Sequence, residues 1–393
     1  MLTDRERKVL TLIDENKEET IEYLRKLLGF KTVTPADGKK AESGDYRKLQ
    51  DFIYKTLGEM DFELDRWEID TSQLEKFTEP GDKLNRDLGG MPVVVGMLKG
   101  GGAGKSLILN GHYDVVPSGI LTNWKHDPFG GEIENNKVFG RGACDMKGGI
   151  AAMLQAVRYI QQAGIPLKGD VIVEIVPDEE SSGIGTLACC EKGFKADAAI
   201  IPEPTNMNVL VAMRGGLSGK ITVFGRAGHA DMSQPHWSEG GAVNAISKAV
   251  KIIQALEELT DEWRNRADKQ HKFLDPDMIM PTVIRGGDWP VTYPEKVDIV
   301  FLADCIPMTS EANLRKEIEE KITSVANTDP WMKEHPPKLE AQWYHGIEID
   351  ENEAIVKTCM EAVRELGIES KPAGMGSIVD PFVKTATLPF LRG

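Results

Sequence analysis

The chain has 393 residues, 62 acidic against 47 basic, for a formal net charge of −15, a balance that disfavours a nucleic-acid surface. No apolar run approaches the about 20 residues of a spanning helix. The charged opening Met1-Leu2-Thr3-Asp4-Arg5-Glu6-Arg7-Lys8 also lacks the apolar core of a secretory signal, so a cytoplasmic protein with no membrane partner is expected.

Helical periodicity is expected over Arg5–Leu28 and Tyr46–Met60, and the polar stretch Asp70–Gly90 reads as a surface loop. The apolar run Leu107-Ile108-Leu109 then leads into Asn110-Gly111-His112-Tyr113-Asp114. Side chains two apart in a strand share a face, so His112 and Asp114 project together. A metal-binding imidazole needs its other ring N–H held, commonly by a carboxylate. His112 therefore reads as a ligand and Asp114 as the group that orients it. Next comes Gly140-Arg141-Gly142-Ala143-Cys144-Asp145-Met146-Lys147-Gly148-Gly149, a glycine-rich turn that permits close backbone approach and opens a helix over Ile150–Ile160. The strand Val171–Val176 runs into Pro177-Asp178-Glu179-Glu180, and Ala198-Ala199-Ile200-Ile201 runs into Pro202-Glu203-Pro204-Thr205.

From about Arg214 the pattern changes. Strand Gly219–Phe224, helix Gly240–Leu259, strands Met278–Arg285 and Lys296–Cys305, helix Glu311–Ala326 and strand Lys338–Tyr344 follow in the β-α-β-β-α-β order of a ferredoxin-like unit. Helix Glu351–Leu366 resumes the first pattern. The expected organisation is an α/β domain, a mainly parallel sheet flanked by helices, made of residues 1–210 and 347–393. A ferredoxin-like α+β domain, 211–346, is inserted in it.

Four acid- or His-bearing strand ends and turns are thus expected to converge, because open α/β sheets bind ligands outside the carboxyl ends of their strands. Packed carboxylates repel unless cations neutralise them. One imidazole with Asp145, Glu180 and Glu203 carries too much charge for a single four-coordinate zinc and suits two divalent ions about 3.5–4 Å apart. The cysteines (Cys144, Cys189, Cys190, Cys305 and Cys359) form no C-x-x-C pair and read as small apolar residues of a reducing compartment.

His112-Tyr113-Asp114, Gly140-Arg141-Gly142 through Asp145-Met146-Lys147-Gly148-Gly149, Glu179-Glu180 and Glu203-Pro204-Thr205, with Trp124 and Asp127-Pro128-Phe129 before the second motif, together resemble the co-catalytic zinc peptidases and deacylases. That family includes acetylornithine deacetylase, succinyl-diaminopimelate desuccinylase, aminoacylase and glutamate-releasing carboxypeptidase. The resemblance implies two divalent ions, zinc first and cobalt or manganese as alternatives. It implies that His112 and Glu203 hold one ion and Glu180 the other, that Asp145 bridges them, and that Glu179 is the general base. The inserted domain is implied to be a lid that mediates a homodimer. In Gly225-Arg226-Ala227-Gly228-His229-Ala230, His229 is implied as the donor that stabilises the tetrahedral intermediate.

Arg214 and Arg285 each precede Gly-Gly and present planar forks suited to a substrate carboxylate. Gly374-Met375-Gly376-Ser377 and Asp380 occupy the region of the family's substrate loop. One departure stands out. The family's second metal takes a terminal His from a Gly-Pro-Gly…Ala-His stretch, and this sequence stops at Thr387-Leu388-Pro389-Phe390-Leu391-Arg392-Gly393 before any such segment. A natural C-terminus lying further on is the reading favoured here; the alternative is an incomplete Glu180 side. The expected activity is hydrolysis of an amide in an N-acyl amino acid or short peptide. Deacylase versus dipeptidase or carboxypeptidase is left open, and a non-catalytic binding relative is the competing reading.

Overall fold

The computed structural model describes residues 2–35, 45–77 and 87–376. The single opening helix expected from the sequence is two, α1 (Asp4–Glu15) and α2 (Lys17–Leu28), because Asn16 leaves helical geometry and its side-chain amide donates to the Leu12 carbonyl at 2.7 Å. Helix α3 (Asp45–Gly58) precedes strands β1 (Glu63–Trp67), β2 (Val93–Leu98) and β3 (Leu107–His112). A small hairpin, β4 (Glu132–Glu134) and β5 (Lys137–Phe139), leads to α4 (Lys147–Gln162). Strand β6 (Val171–Val176), α5 (Ile184–Lys192) and β7 (Ala198–Ile200) follow.

These elements form one compact unit of residues 2–209, later joined by Glu351–Lys371. Its sheet runs β1-β2-β6-β3-β7. Pairings β6–β3 and β3–β7 are parallel, and β1–β2 and β2–β6 antiparallel, so four of the five strands share a direction and only β2 is reversed. Every residue of β6 is buried, as expected for a strand covered on both faces. On one face Ile108, Ile172 and Val176 pack with Cys189 of α5. On the other, the missing side chain of Gly111 lets α4 approach; a Cβ there would lie 3.1 Å from Ile150.

The second unit, Leu210–Asp350 with a late strand, begins with β8 (Val209–Met213) and β9 (Gly215–Phe224). Then come β10 (Gly228–His229), α6 (Ala245–Arg264), β11 (Met278–Arg285), β12 (Thr292–Tyr293) and β13 (Lys296–Cys305). Helices α7 (Glu311–Asn327) and α8 (Pro330–Glu334) precede β14 (Lys338–Tyr344) and β15 (Ile347–Glu348). Helix α9 (Ala354–Glu365) returns to the first unit, and β16 (Pro372–Met375) belongs to the second. The expected division at 346 thus falls at 350, and residues 372–375 depart from it.

The antiparallel order β11-β13-β9-β14 is the arrangement that a β-α-β-β-α-β chain produces. Strand β13 alternates buried with more exposed positions, and its Ile299 and Phe301 pack with Leu256 of α6 and Ile318 of α7. Helix α6 starts at Ala245 rather than at the expected Gly240. Gly240 is left-handed at φ 92°, and the helix is instead capped by Asn244, whose side chain accepts the Ile246 N–H.

Candidate metal centre

Three adjacent parallel strands, β6-β3-β7, end side by side, with His112 opposite Val176 in register. The chain beyond β6 supplies Glu179 and Glu180, β3 ends in His112 and continues to Asp114, and the chain beyond β7 supplies Glu203. Asp145 arrives from the turn before α4. Two glycines make that arrival geometrically possible. Gly142 adopts φ 85°, where a Cβ would lie 2.6 Å from Val115, and a Cβ on Gly149 would lie 2.3 Å from the carbonyl oxygen of Pro202. The second approach draws the first turn of α4 against the residue preceding Glu203.

One donor atom each from His112, Asp145 and Glu203 lie within 4.8 Å of one another. The Nε2 of His112 is 3.1 Å from Asp145 Oδ1, 3.5 Å from Glu203 Oε1 and 3.8 Å from Glu179 Oε2. His112 and Glu203 are buried, while Asp145 stays half-exposed at the mouth. Glu180 stands outside the triad of donors, but the charge of Asp145 reaches it.

Asp114 does more than the sequence reading expected, and by a different atom. His112 Nδ1 donates to the Asp114 carbonyl oxygen at 3.0 Å, whereas the carboxylate is 3.6 Å away. A carbonyl can only accept, so the proton sits on Nδ1 and Nε2 faces the carboxylates. The Asp114 carboxylate, fully buried, accepts instead from the backbone N–H groups of Glu179 at 3.2 Å and Glu180 at 3.3 Å. One residue therefore orients the imidazole through its main chain and the two glutamates through its side chain.

The electrostatics suit a cation site. Burial opposes a charged ring at His112. Hydrogen bonds with Asp114 and Asp145, and the charges of Asp114 and Glu179, outweigh it and hold the imidazole well above its usual value. Asp145 is held low, first by its hydrogen bond with His112 and against the burial that would raise it. Glu180 is pushed up to about 7 by burial and by the charge of Asp145. Protons thus occupy lone pairs that divalent ions could take. The donor set of one imidazole and several carboxylates, with the ring's second nitrogen already held, fits a zinc-type ion.

Sequence reasoning gave no role to three neighbours. Lys147, fully buried, donates to the carbonyls of Leu27 at 3.1 Å and Phe30 at 2.7 Å, tying the Asp145 turn to the end of α2; burial lowers its pKa to about 7. Asn110 and Glu174, a register pair on β3 and β6, are joined by a 2.8 Å hydrogen bond two residues below His112 and Val176. Their signal was a polar residue at a strand position expected to be apolar.

Other expected residues fall differently. Arg214 is only 3% exposed, and its guanidinium donates to the carbonyls of Asp275 at 2.8 Å and Pro276 at 3.2 Å and lies 3.6 Å from Asp304. Both carbonyl bonds use Nη2, and Nε has no hydrogen-bond partner among the described residues, so the guanidinium is enclosed in the second unit but only partly engaged. Arg285 is exposed at the end of β11, and His229 is exposed on β10. Gly374 and Met375 lie in β16, where Met375 accepts the Arg214 N–H, so this part of the expected substrate loop is strand. Ser377, Asp380 and the stretch Thr387–Gly393 lie outside the described residues. Among the described residues no second histidine joins the cluster: His126 pairs with Glu134, His271 with Glu348, and His335 stacks on Trp331.

The model of peptidase family M20/M25/M40 matches residues 108–382. An N-formyl-4-amino-5-aminomethyl-2-methylpyrimidine deformylase of Halalkalibacterium halodurans is 31% identical over 339 residues, 84% of this chain and 73% of the relative. The Bacillus subtilis protein of the same description is 32% identical over 333 residues, 83% and 72%. Among solved structures, a tripeptidase from Staphylococcus aureus aligns with TM-score 0.69 at 18% identity, over 94% of this chain and 87% of that one, a likeness of fold.

Proposed function

Because this chain belongs to peptidase family M20/M25/M40, we propose that it is a dinuclear metal-dependent amidohydrolase that uses Glu179 as general base to remove the acyl group from a small N-acylated amine. The observation that carries the reading is the convergence of His112, Asp145 and Glu203 donors within 4.8 Å, with the Glu179 carboxylate beside them. In this reading His112 and Glu203 would hold one divalent ion and Glu180 the other, and Asp145 would serve both. Such ions, zinc first and cobalt or manganese as alternatives, would polarise the amide carbonyl and make a water acidic. Glu179, fixed through its own N–H on Asp114, takes the proton of the attacking water and passes it to the departing amine. His229 donates to the developing oxyanion.

Two observations favour an acylated amine without a carboxylate. The curated relatives are described as deformylases of an aminomethylpyrimidine, and Arg214 is only 3% exposed, with Nη2 bonded to two backbone carbonyls. The exposed guanidinium of Arg285 favours a second reading, an N-acyl amino acid or short peptide. The protein is further proposed to be cytoplasmic; no helix among the described residues is long and apolar enough to cross a membrane. It is also proposed to be a homodimer through the second unit, where edge strand β11 leaves Ile284 53% exposed.

The test is a panel of N-formyl and N-acetyl arylmethylamines, N-acyl amino acids and dipeptides, assayed with chelator and with added zinc, cobalt or manganese. Metal-restored hydrolysis of the neutral amides supports the first reading, and preference for the carboxylates supports the second. A metal-replete protein that binds these compounds and cleaves none is a binding relative, and the proposal fails.

A further inference from the structure

His229 sits at the start of a short loop whose hydrogen bonds close on themselves. Its ring Nδ1 accepts the backbone N–H of Asp231 at 3.3 Å. A backbone N–H can only donate, so Nδ1 must carry the lone pair, and the neutral ring must carry its proton on Nε2. No other hydrogen bond, ion pair or ring contact to this ring occurs among the described residues, and the residue is exposed. An imidazole in this form donates through Nε2 and cannot accept there. It suits a carbonyl oxygen or oxyanion, not a proton to be abstracted.

The Met232 N–H donates to the His229 carbonyl at 3.3 Å, and Gln234 adds a side-chain tie to the same oxygen. Gln234 Nε2 donates to the carbonyls of His229 at 2.9 Å and Met232 at 3.3 Å, and its Oε1 accepts the N–H of Ala242 at 3.3 Å. One half-buried amide thus joins the loop to the segment before α6. On the other side Ala230 N–H donates to Val291 at 2.7 Å, and His229 pairs with Thr292 across the β10–β12 bridge. Gly228 completes the enclosure, since a Cβ there would lie 2.4 Å from the Cβ of Ala242.

We propose that the Asp231 amide and the Gln234 side chain form a tautomer clamp that keeps His229 as an Nε2–H donor, with Gln234 a positioning residue for the oxygen that His229 serves. The proposal rests on reading His229 as the oxyanion donor, but its test does not require turnover. Nitrogen-15-labelled histidine in the full chain reports ring protonation through long-range proton–nitrogen correlation, with His229 assigned by its disappearance in His229→Gln.

The expected native spectrum has one lone-pair nitrogen at Nδ1 and a protonated Nε2. Gln234→Ala should shift this pattern towards a mixture of tautomers. Gln234→Glu, which keeps the acceptor for Ala242 and loses the donors to His229 and Met232, should behave the same way. With an active substrate, both variants should lose about tenfold in kcat, a fraction of what deleting a donor costs, and leave KM within about twofold. An Nδ1–H tautomer in the native chain, or Gln234 variants with native spectra, overturns the clamp. A protein that cleaves no amide yet shows the expected spectra would sink the functional reading alone.

Discussion

The ring Nδ1 of His112 and the carbonyl oxygen of Asp114 stand 3.0 Å apart, and that contact frees the Asp114 carboxylate for other work. The carboxylate grips the N–H groups of Glu179 and Glu180, so the imidazole and both glutamates are referred to one residue. The turn after β6 is thereby registered against the end of β3. Such outer contacts govern how well a site is prepared before any ion arrives.

Asp114→Asn tests this division of labour. The carbonyl remains, so His112 should keep its orientation, while an amide nitrogen in place of one carboxylate oxygen confronts a backbone N–H it cannot accept. Metal affinity should fall about 10–100-fold, read by calorimetric titration of zinc. Unchanged affinity would show that the glutamates need no such anchor.

Glu179→Gln separates base from ligand. The variant should retain native metal content by elemental analysis while turnover falls about 10²–10⁴-fold, the usual scale of general acid–base help. Loss of metal with activity intact would reassign the residue, whose carboxylate lies 3.8 Å from His112 Nε2.

The proton load of the metal-free site has a measurable consequence. Glu180, raised to about 7, and His112, held well above its ordinary value, bind protons more tightly folded than unfolded. Their contribution to stability is therefore complete at acid pH and is lost as pH rises through the folded values. Divalent ions replace those protons, so the gain in Tm on adding zinc to chelator-treated protein should be larger at pH 8 than at pH 5.5. Scanning calorimetry showing equal gains would contradict the assignment.

Arg214 and Arg285 should part company. Arg214→Met leaves the Asp275 and Pro276 carbonyls without their donor and should destabilise the protein by about 1–3 kcal/mol while KM stays within about twofold. Arg285→Ala should leave Tm unchanged. If carboxylate-bearing substrates are accepted, it should raise their KM by about tenfold, and it should not alter KM for neutral amides. A KM change in Arg214→Met without destabilisation would support the role expected from its sequence context.

Much of the centre was legible in the sequence because its signals are local. A strand repeat of two and an acid just beyond an apolar run identify side chains at strand ends, and His112, Glu179, Glu180 and Glu203 all announced themselves that way. The glycines around Asp145 announced a tight turn, and the structure shows what each makes room for. The β-α-β-β-α-β order of the second unit was readable from periodicity, although the start of α6 was displaced by the capping preference of Asn244 over Gly240.

What the chain alone determined is therefore which groups are available for the proposed chemistry, since residue type and short-range spacing decide what can ligate, ionise or turn. Only the tertiary structure decided which strands lie side by side, that Asp114 meets His112 through its carbonyl, and that Arg214 is enclosed while Arg285 is not. Those outcomes depend on pairings between residues tens of positions apart and on which side chains lose water, and burial is a property of the packed molecule that no local stretch of sequence contains.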